Sequence, residues 1–313
     1  MHNRFYINEK LTPELIGEYV SLSLILNHVK AFRMRKYDEI KLYDGYGTVY
    51  SGVIKYISKR DVTVEIISCK TALEYSPIKI SMFLPFIASG SMDLMLSKIC
   101  ELEVQSIYPV IMQRSVKIKA KDISNKGKVE RWSKISASAM ILSGRNRMTI
   151  INNPMTLEES FSSCRFFDIK LIASANSKIS LADYLNLNPN CAKARLEHSR
   201  SLLIAKFKQN LSTPAMAKRS ILGAGSQTDD YTIPAAPFLK NEKGIVNIGC
   251  YIGPEGDFTE DELKMAENNG FIKVKLSDFI MSTFTASIFS ASILSAYFFN
   301  DASITSNLPC KDI

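Results

Sequence analysis

Ten basic side chains crowd the 34 residues from Arg114 to Arg147: Arg114, Lys117, Lys119, Lys121, Lys126, Lys128, Arg131, Lys134, Arg145 and Arg147. Only Asp122 and Glu130 oppose them, so this stretch carries the whole formal charge of +8 and the rest of the chain cancels. Cations concentrated in this way form the electrostatic footprint of a polyanion site; the plainer alternative is a solvated charged helix and loop. A second group of residues stands at Cys250-Tyr251-Ile252-Gly253-Pro254-Glu255-Gly256-Asp257-Phe258-Thr259. An apolar strand ending at Ile252 runs into two glycines and a proline, a tight turn whose backbone can approach a ligand closely. Thr259 with Glu262 three residues on forms the capping box of a following helix. Other chemistries have little to work with. The six cysteines lie far apart without a CxxC pair, which excludes a disulfide framework and a zinc site. The three histidines, His2, His28 and His198, accompany no nucleophile motif, and the glycine pairs 45/47 and 223/225 do not extend to a dinucleotide or P-loop fingerprint.

The elements that must position these groups follow from periodicity. Residues 39–67 alternate with period two and are punctuated at Asp44-Gly45-Tyr46-Gly47 and Ser58-Lys59-Arg60-Asp61, which predicts a three-stranded meander. Residues 1–72 therefore form a small β domain, with a polar linker around residues 70–77. From Ile78 strands and helices alternate: strands at 79–87, 105–111, 166–173, 244–252 and 272–276, helices at 91–103, 128–143, 259–269 and 284–299. In the helix at 128–143, Trp132, Ile135, Ala139 and Leu142 share the apolar face. This order predicts an α/β domain with a largely parallel sheet over residues 73–300, followed by a tail at 301–313. Between 174 and 243 the pattern gives way to Asn-, Ser- and Pro-rich sequence with one helix from Cys191 to Gln209, an insertion expected to be partly disordered. Phe279–Phe299 is uncharged and long enough to span a bilayer. Its seven Ser/Thr residues and acidic flanks, Asp278 and Asp301, favour a buried helix instead. With no secretory signal at the start, the setting read from the sequence is cytoplasmic, with no membrane and no metal.

The strand–Gly253-Pro254-Glu255-Gly256–helix unit and the next strand–Leu276–Ile280–helix unit resemble the small-subunit (16S) ribosomal RNA uridine-N3 methyltransferase family, RsmE. The resemblance extends through Arg4-Phe5-Tyr6, His28, Arg33-Met34-Arg35 and Asp44-Gly45, then Met92-Asp93, Lys98, Glu101-Leu102, Pro109, Arg114-Ser115, Arg131-Trp132, Ile135 and Ser143-Gly144-Arg145-Asn146-Arg147. It covers about residues 1–173 and 244–299 and leaves the insertion unmatched. It implies a PUA-like β-barrel followed by a SPOUT-type trefoil-knotted methyltransferase domain, a homodimer, and S-adenosylmethionine as cofactor. Carried over residue by residue, it places cofactor contacts at Ile252, Gly253, Pro254, Glu255, Gly256, Leu276, Ser277, Ile280 and Met281. Catalytic roles fall to Glu255, Arg145 and Arg114, and ribosomal RNA contacts to Arg33, Arg35, Lys98, Arg114, Arg131, Arg145 and Arg147.

The final loop departs from the family's usual LGxRILRxETA. Here it reads Leu276-Ser277-Asp278-Phe279-Ile280-Met281-Ser282-Thr283-Phe284-Thr285-Ala286, with Phe279, Ser282 and Phe284 where two arginines and a glutamate are usual. Two further readings therefore stand beside the enzyme: an RNA-binding homologue that has lost transfer, and a SPOUT enzyme for another RNA.

Overall fold

The computed structural model describes residues 3–8, 13–71, 78–116, 126–164, 167–188, 191 and 246–299. The first unit is a five-stranded sheet in the order β1-β3-β4-β5-β2, made of β1 (Arg4–Tyr6), β2 (Tyr19–Leu22), β3 (Glu39–Tyr43), β4 (Thr48–Ile57) and β5 (Val62–Thr71), with a short helix α1 (Leu26–Ala31). The expected meander is β3-β4-β5, all antiparallel, and the alternating residues Tyr50, Ile54, Val62, Val64 and Ile66 fill its core. Gly52 marks a register shift in β4. A Cβ there would lie 2.8 Å from the Glu65 carbonyl oxygen, so the two backbones meet only because no side chain intervenes. The edge strands β1 and β2, three and four residues long, are too short to show in the sequence pattern.

The second unit is a parallel sheet ordered β12-β10-β11-β6-β7-β8, with β9 also on β7: β6 (Ile78–Pro85), β7 (Val104–Ile111), β8 (Ile150–Ile151), β9 (Met155–Thr156), β10 (Ile169–Ala173), β11 (Val246–Tyr251) and β12 (Ile272–Val274). Central β6 is buried on both faces except at Lys79, as a strand covered by helices on both sides must be. One face packs α2 (Ser89–Ile99), α3 (Lys126–Ser143), α5 (Leu181–Leu187) and α7 (Thr283–Phe299); the other packs α4 (Leu157–Ser163) and α6 (Glu260–Asn268). Tyr251, Phe83 and Tyr108 are register partners on β11, β6 and β7, and their rings stack at 4.2 and 4.7 Å.

Three expectations need correcting. The first helix after β6 begins at Ser89 and stops at Ile99, because Glu101-Leu102 form the turn into β7. Leu142 is 59 % exposed at the end of α3, off the face that buries Trp132 and Ala139. The segment from 174 is not all insertion: Ser180 caps α5, whose Leu181 and Leu185 are buried in the main core. Seven residues are too few for a helical period to stand out. Cys191 is buried, and the remainder of the expected 191–209 helix lies outside the described residues.

The uncharged segment becomes α7. Ala286, Ser287, Ser290, Ala291, Leu294, Ser295 and Phe298 face the core, and the full burial of Leu294 and Phe298 contributes about 1.5–3 kcal/mol each. Among the described residues no helix is long and apolar enough to cross a membrane.

Candidate active site

Strands β10, β11 and β12 run parallel and in register, so the residues after each converge at one end of the sheet. Ala173–Ala175, Ile252–Glu255, Asp257 and the loop after β12 line a cleft of about 110 Å³, closed by Thr283 and Ala286 of α7. Of the residues expected to hold a cofactor, Ile252, Gly253, Pro254, Glu255, Leu276, Ser277, Ile280 and Met281 border this cleft, whereas Gly256 does not, its carbonyl accepting from Arg114 instead.

The turn is fixed by its own backbone. Asp257 N–H donates to the Pro254 carbonyl at 2.8 Å, and Asp257 takes the left-handed conformation (φ 59°), stabilised by its carboxylate accepting from Phe258 N–H at 2.8 Å. At Gly253 a Cβ would press within 3.1 Å of Asp257 Oδ1 and the Phe258 ring, so any larger residue requires these neighbours to shift. Two latches then tie the turn to the body. On one side Thr283, the first residue of α7, donates from Oγ1 to the Gly253 carbonyl at 2.9 Å and from its N–H to Glu255 Oε1 at 3.3 Å. Glu255 thus caps the positive end of the final helix. On the other side Arg114 Nη1 donates to the Gly256 carbonyl at 2.7 Å. Buried Glu262 accepts from Thr259 N–H and from Gln113 N–H, each at 2.8 Å. The start of the basic stretch is therefore fastened to the Gly-Pro-Glu-Gly turn.

Ser174, directly after β10, escaped sequence reasoning. It is 3 % exposed, borders the cleft, and its Oγ has no hydrogen-bond partner among the described residues. A buried hydroxyl without a partner is costly unless something binds it. The signal available was its place immediately after a predicted strand. The outer rim carries Phe279 and Ile280, 84 % and 93 % exposed. Beside them Lys275 Nζ donates to Asp278 at 2.6 Å and keeps that carboxyl below its ordinary range.

The basic residues divide. Arg145 is not brought to this end of the sheet. Its Nη1 donates to the Cys100 carbonyl (2.7 Å) and Thr149 Oγ1 (3.1 Å), and its Nη2 to the Val104 carbonyl (3.2 Å). Val104 starts β7, so Arg145 lies at the amino ends of strands whose carboxyl ends carry the turn. Burial lowers its guanidinium pKa from the ordinary value. Arg147 is exposed and packs over Gly47 in the β3–β4 turn, where Tyr46 and Arg147 bridge the two units. Arg131 pairs with Asp93, which also accepts from Trp132 Nε1 at 3.1 Å. Lys98 pairs with Glu101 at 2.9 Å. Arg33 and Arg35 are exposed on the first unit, Arg33 in the left-handed region at φ 53°. Lys117, Lys119 and Lys121 lie outside the described residues.

Residues 74–205 and 203–295 match the model of the RNA methyltransferase domain. The chain belongs to the RNA methyltransferase domain family. Ribosomal RNA small subunit methyltransferase E of Mesomycoplasma hyopneumoniae (strain 232) is 21 % identical over 278 residues, 89 % of this chain and 92 % of that protein. The fold is shared with the Neisseria gonorrhoeae ribosomal RNA small subunit methyltransferase E solved with S-adenosyl methionine (24 % identity, TM-score 0.68, 95 % of this chain and 99 % of that one). It is shared too with a Legionella pneumophila protein solved with its bound cofactor SAM (22 % identity, TM-score 0.67, covering 94 % and 97 %). The RNA methyltransferase match starts just before β6 and includes α5 and the cleft.

Proposed function

We propose that the chain transfers a methyl group from S-adenosylmethionine to N3 of a uridine in small-subunit (16S) ribosomal RNA, in the cytoplasm. The observation that carries the cofactor assignment is the cleft itself. Its walls combine apolar side chains with the acids Glu255 and Asp257 and the hydroxyl residues Ser277 and Thr283, and Ser174 Oγ is buried there without a partner among the described residues. At about 110 Å³ the cleft is below the roughly 300 Å³ of a small-molecule site and must widen to admit an adenosine; Ile252, Leu276 and Met281 would then flank the ring, while Ser174 and the backbone of Gly253–Glu255 and Ser277 hold its polar edges. When bound, the cofactor supplies an electrophilic methyl group on a sulfonium.

The chain's own part is positioning and electrostatics. Glu255 and Thr283 fix the turn against α7, and Arg114, the cation fastened to the turn, offsets negative charge on the uracil as the N3 proton passes to solvent water and the methyl group leaves the sulfonium, which becomes a neutral thioether. Exposed Arg33, Arg35, Arg131 and Arg147, with Lys98, contact RNA phosphates, which orient without specifying sequence. Arg145 is a positioning residue that holds the α3–β8 connection. The first unit is the PUA-like RNA-binding domain, the loops around the cleft form the knot, and the outward apolar residues Phe279, Ile280 and Phe289 form a homodimer contact with a second copy.

One observation favours the reading without transfer: no Lys or Arg borders the cleft among the described residues. Calorimetric titration with S-adenosylmethionine, followed by methyl incorporation into unmodified small ribosomal subunits, decides between them. Micromolar binding, about −8 kcal/mol, with incorporation at one uridine N3 supports the enzyme. Binding without incorporation, or incorporation into another RNA only, overturns it.

A further inference from the structure

The sheet of the first unit buries one face, and its other face carries a patch that neither the cleft nor the Arg114–Arg147 stretch uses. Tyr50 and Ile54 of β4 point into the core, and Lys55 is the extra residue of a bulge against β5. Bulges re-aim side chains, and here Lys55 and Tyr56 both face outward. Lys55 Nζ reaches Glu65 at 2.7 Å, while Tyr56 opposes Thr63, two residues before Glu65 on the same face. Tyr19 of β2 opposes Glu65 from the other side. Tyr37, just before β3, donates its N–H to the Ile54 carbonyl at 2.7 Å, and its ring centroid lies 4.8 Å from Lys36 Nζ and 6.0 Å from Lys55 Nζ. Tyr19, Tyr37 and Tyr56 are 61, 65 and 62 % exposed, so three rings and two ammonium groups form one outward patch. Tyr37 also holds φ 77°, in the left-handed region that a bulky residue rarely occupies. A ring kept in the open at that conformational cost calls for a function. Arg33 and Arg35 precede it with Lys36, and Asp38 turns its carboxylate to the Arg35 N–H at 2.7 Å.

We infer that this face stacks unpaired bases of RNA on Tyr19, Tyr37 and Tyr56, with Lys36, Arg33 and Arg35 on the adjoining phosphates. The inference rests on the RNA-binding reading of the first unit above. A flat exposed ring takes the π-face of any base, and aromatic side chains on an open sheet bind single-stranded RNA in this way. In a duplex the base faces are already stacked on one another, so the chemistry of the patch selects single strands. The patch stands near the far end of β4 from Gly47, where Arg147 meets the first unit, roughly 25 Å along the strand. The preferred substrate is therefore a folded RNA with an unpaired segment set apart from the nucleotide that reaches the cleft.

The full-length protein is titrated with a short single-stranded oligouridine and with an RNA duplex of the same length. Tyr37→Gly relieves the left-handed backbone while removing a ring, so Tm should hold or rise by up to about 4 °C. Its oligouridine affinity should nevertheless fall by roughly 5- to 150-fold, the span for one base–aromatic stack. Tyr56→Ala should weaken oligouridine binding over the same span, and in both variants the slope of log K against log salt should stay unchanged, because a stack releases no counterions. Duplex affinity should change by less than about twofold, since no base face is free to stack. Oligouridine affinity within about twofold of wild type in both variants overturns the inference. If Arg33→Ala and Arg35→Ala then still weaken binding, the RNA-binding reading stands and only the stacking face fails; if they do not, both fail. Tyrosine variants that lose affinity for whole small subunits but not for protein-free RNA assign the face to a ribosomal protein and likewise overturn the inference.

Discussion

Thr283→Val tests whether the cofactor turn depends on its tie to the final helix. The substitution keeps the shape of a 3 % exposed side chain and deletes one O–H donor, leaving the Gly253 carbonyl without its 2.9 Å partner. A fully buried carbonyl left unpaired costs about 1–3 kcal/mol, and this one is part-buried. The lower part of that range applies because the Thr283 N–H to Glu255 bond still holds the turn to the same helix end. About 1 kcal/mol corresponds to a fall in Tm of roughly 2–4 °C for a domain of this size. If the free turn loosens and must be reordered by ligand, the same energy appears as S-adenosylmethionine binding about fivefold weaker. Calorimetry and thermal unfolding are run on Thr283→Val, on Thr283→Ser, which keeps the donor, and on the double variant with Glu255→Ala. Because both bonds hold one turn to one helix end, the double variant should depart from additivity by at least about 0.5 kcal/mol. A lower Tm with cofactor affinity unchanged within twofold would show the tie to be structural only and refute the argument.

Arg145→Met should lower stability by about 1–3 kcal/mol, since the Cys100 carbonyl loses the Arg145 donor while the Val104 carbonyl keeps Thr149 Oγ1 at 2.8 Å. It should leave the salt dependence of RNA binding unchanged, whereas Arg147→Ala should reduce the slope of log K against log salt by about 0.7–0.9; equal effects on the slope would return Arg145 to the RNA surface. Gly52→Ala should cost roughly 2 kcal/mol in a denaturant titration, because its Cβ would fall 2.5 Å from Val64 Cγ1 and 2.8 Å from the Glu65 carbonyl oxygen. Burial raises the thiols of Cys164 and Cys191 to about 11 and that of Cys250 to about 12, from 9.0. Between pH 9 and these values the unfolded chain has released protons that the folded chain retains. The stabilisation is therefore full below pH 9 and is lost as pH rises towards 11–12. Alkaline unfolding curves and native alkylation at pH 8 check this, with partly exposed Cys69 expected to react before the buried thiols.

Legibility of the fold follows how local each cause is. The β4–β5 alternation and the capping box at Thr259–Glu262 are written in neighbouring residues, and both stand where periodicity and spacing put them. The buried role of α7 was readable from serines and the lack of flanking Lys/Arg. Arg145 shows the opposite case. In sequence it is one more cation in a basic run, and only the fold surrounds it with the carbonyls of residues 41 and 45 positions away. Ser174 is hidden for a related reason, since it matters only because β11 and β12 end beside it. Glu262 was legible as a cap, but its second oxygen serves Gln113, 149 residues distant, and no spacing rule reaches that far.

The apolar final loop can now be weighed against what it touches. Phe279 and Ile280 are exposed at the rim and take no part in either latch. The turn is held by Thr283, Glu255, Arg114 and Glu262, and all four make their bonds to backbone groups of the turn, the helix ends or the basic stretch. A rim residue can therefore change from charged to apolar without breaking either latch, while its side chain still borders the cleft. Changes at 279 and 280 should act on the closing of the cleft and on contact with a second copy.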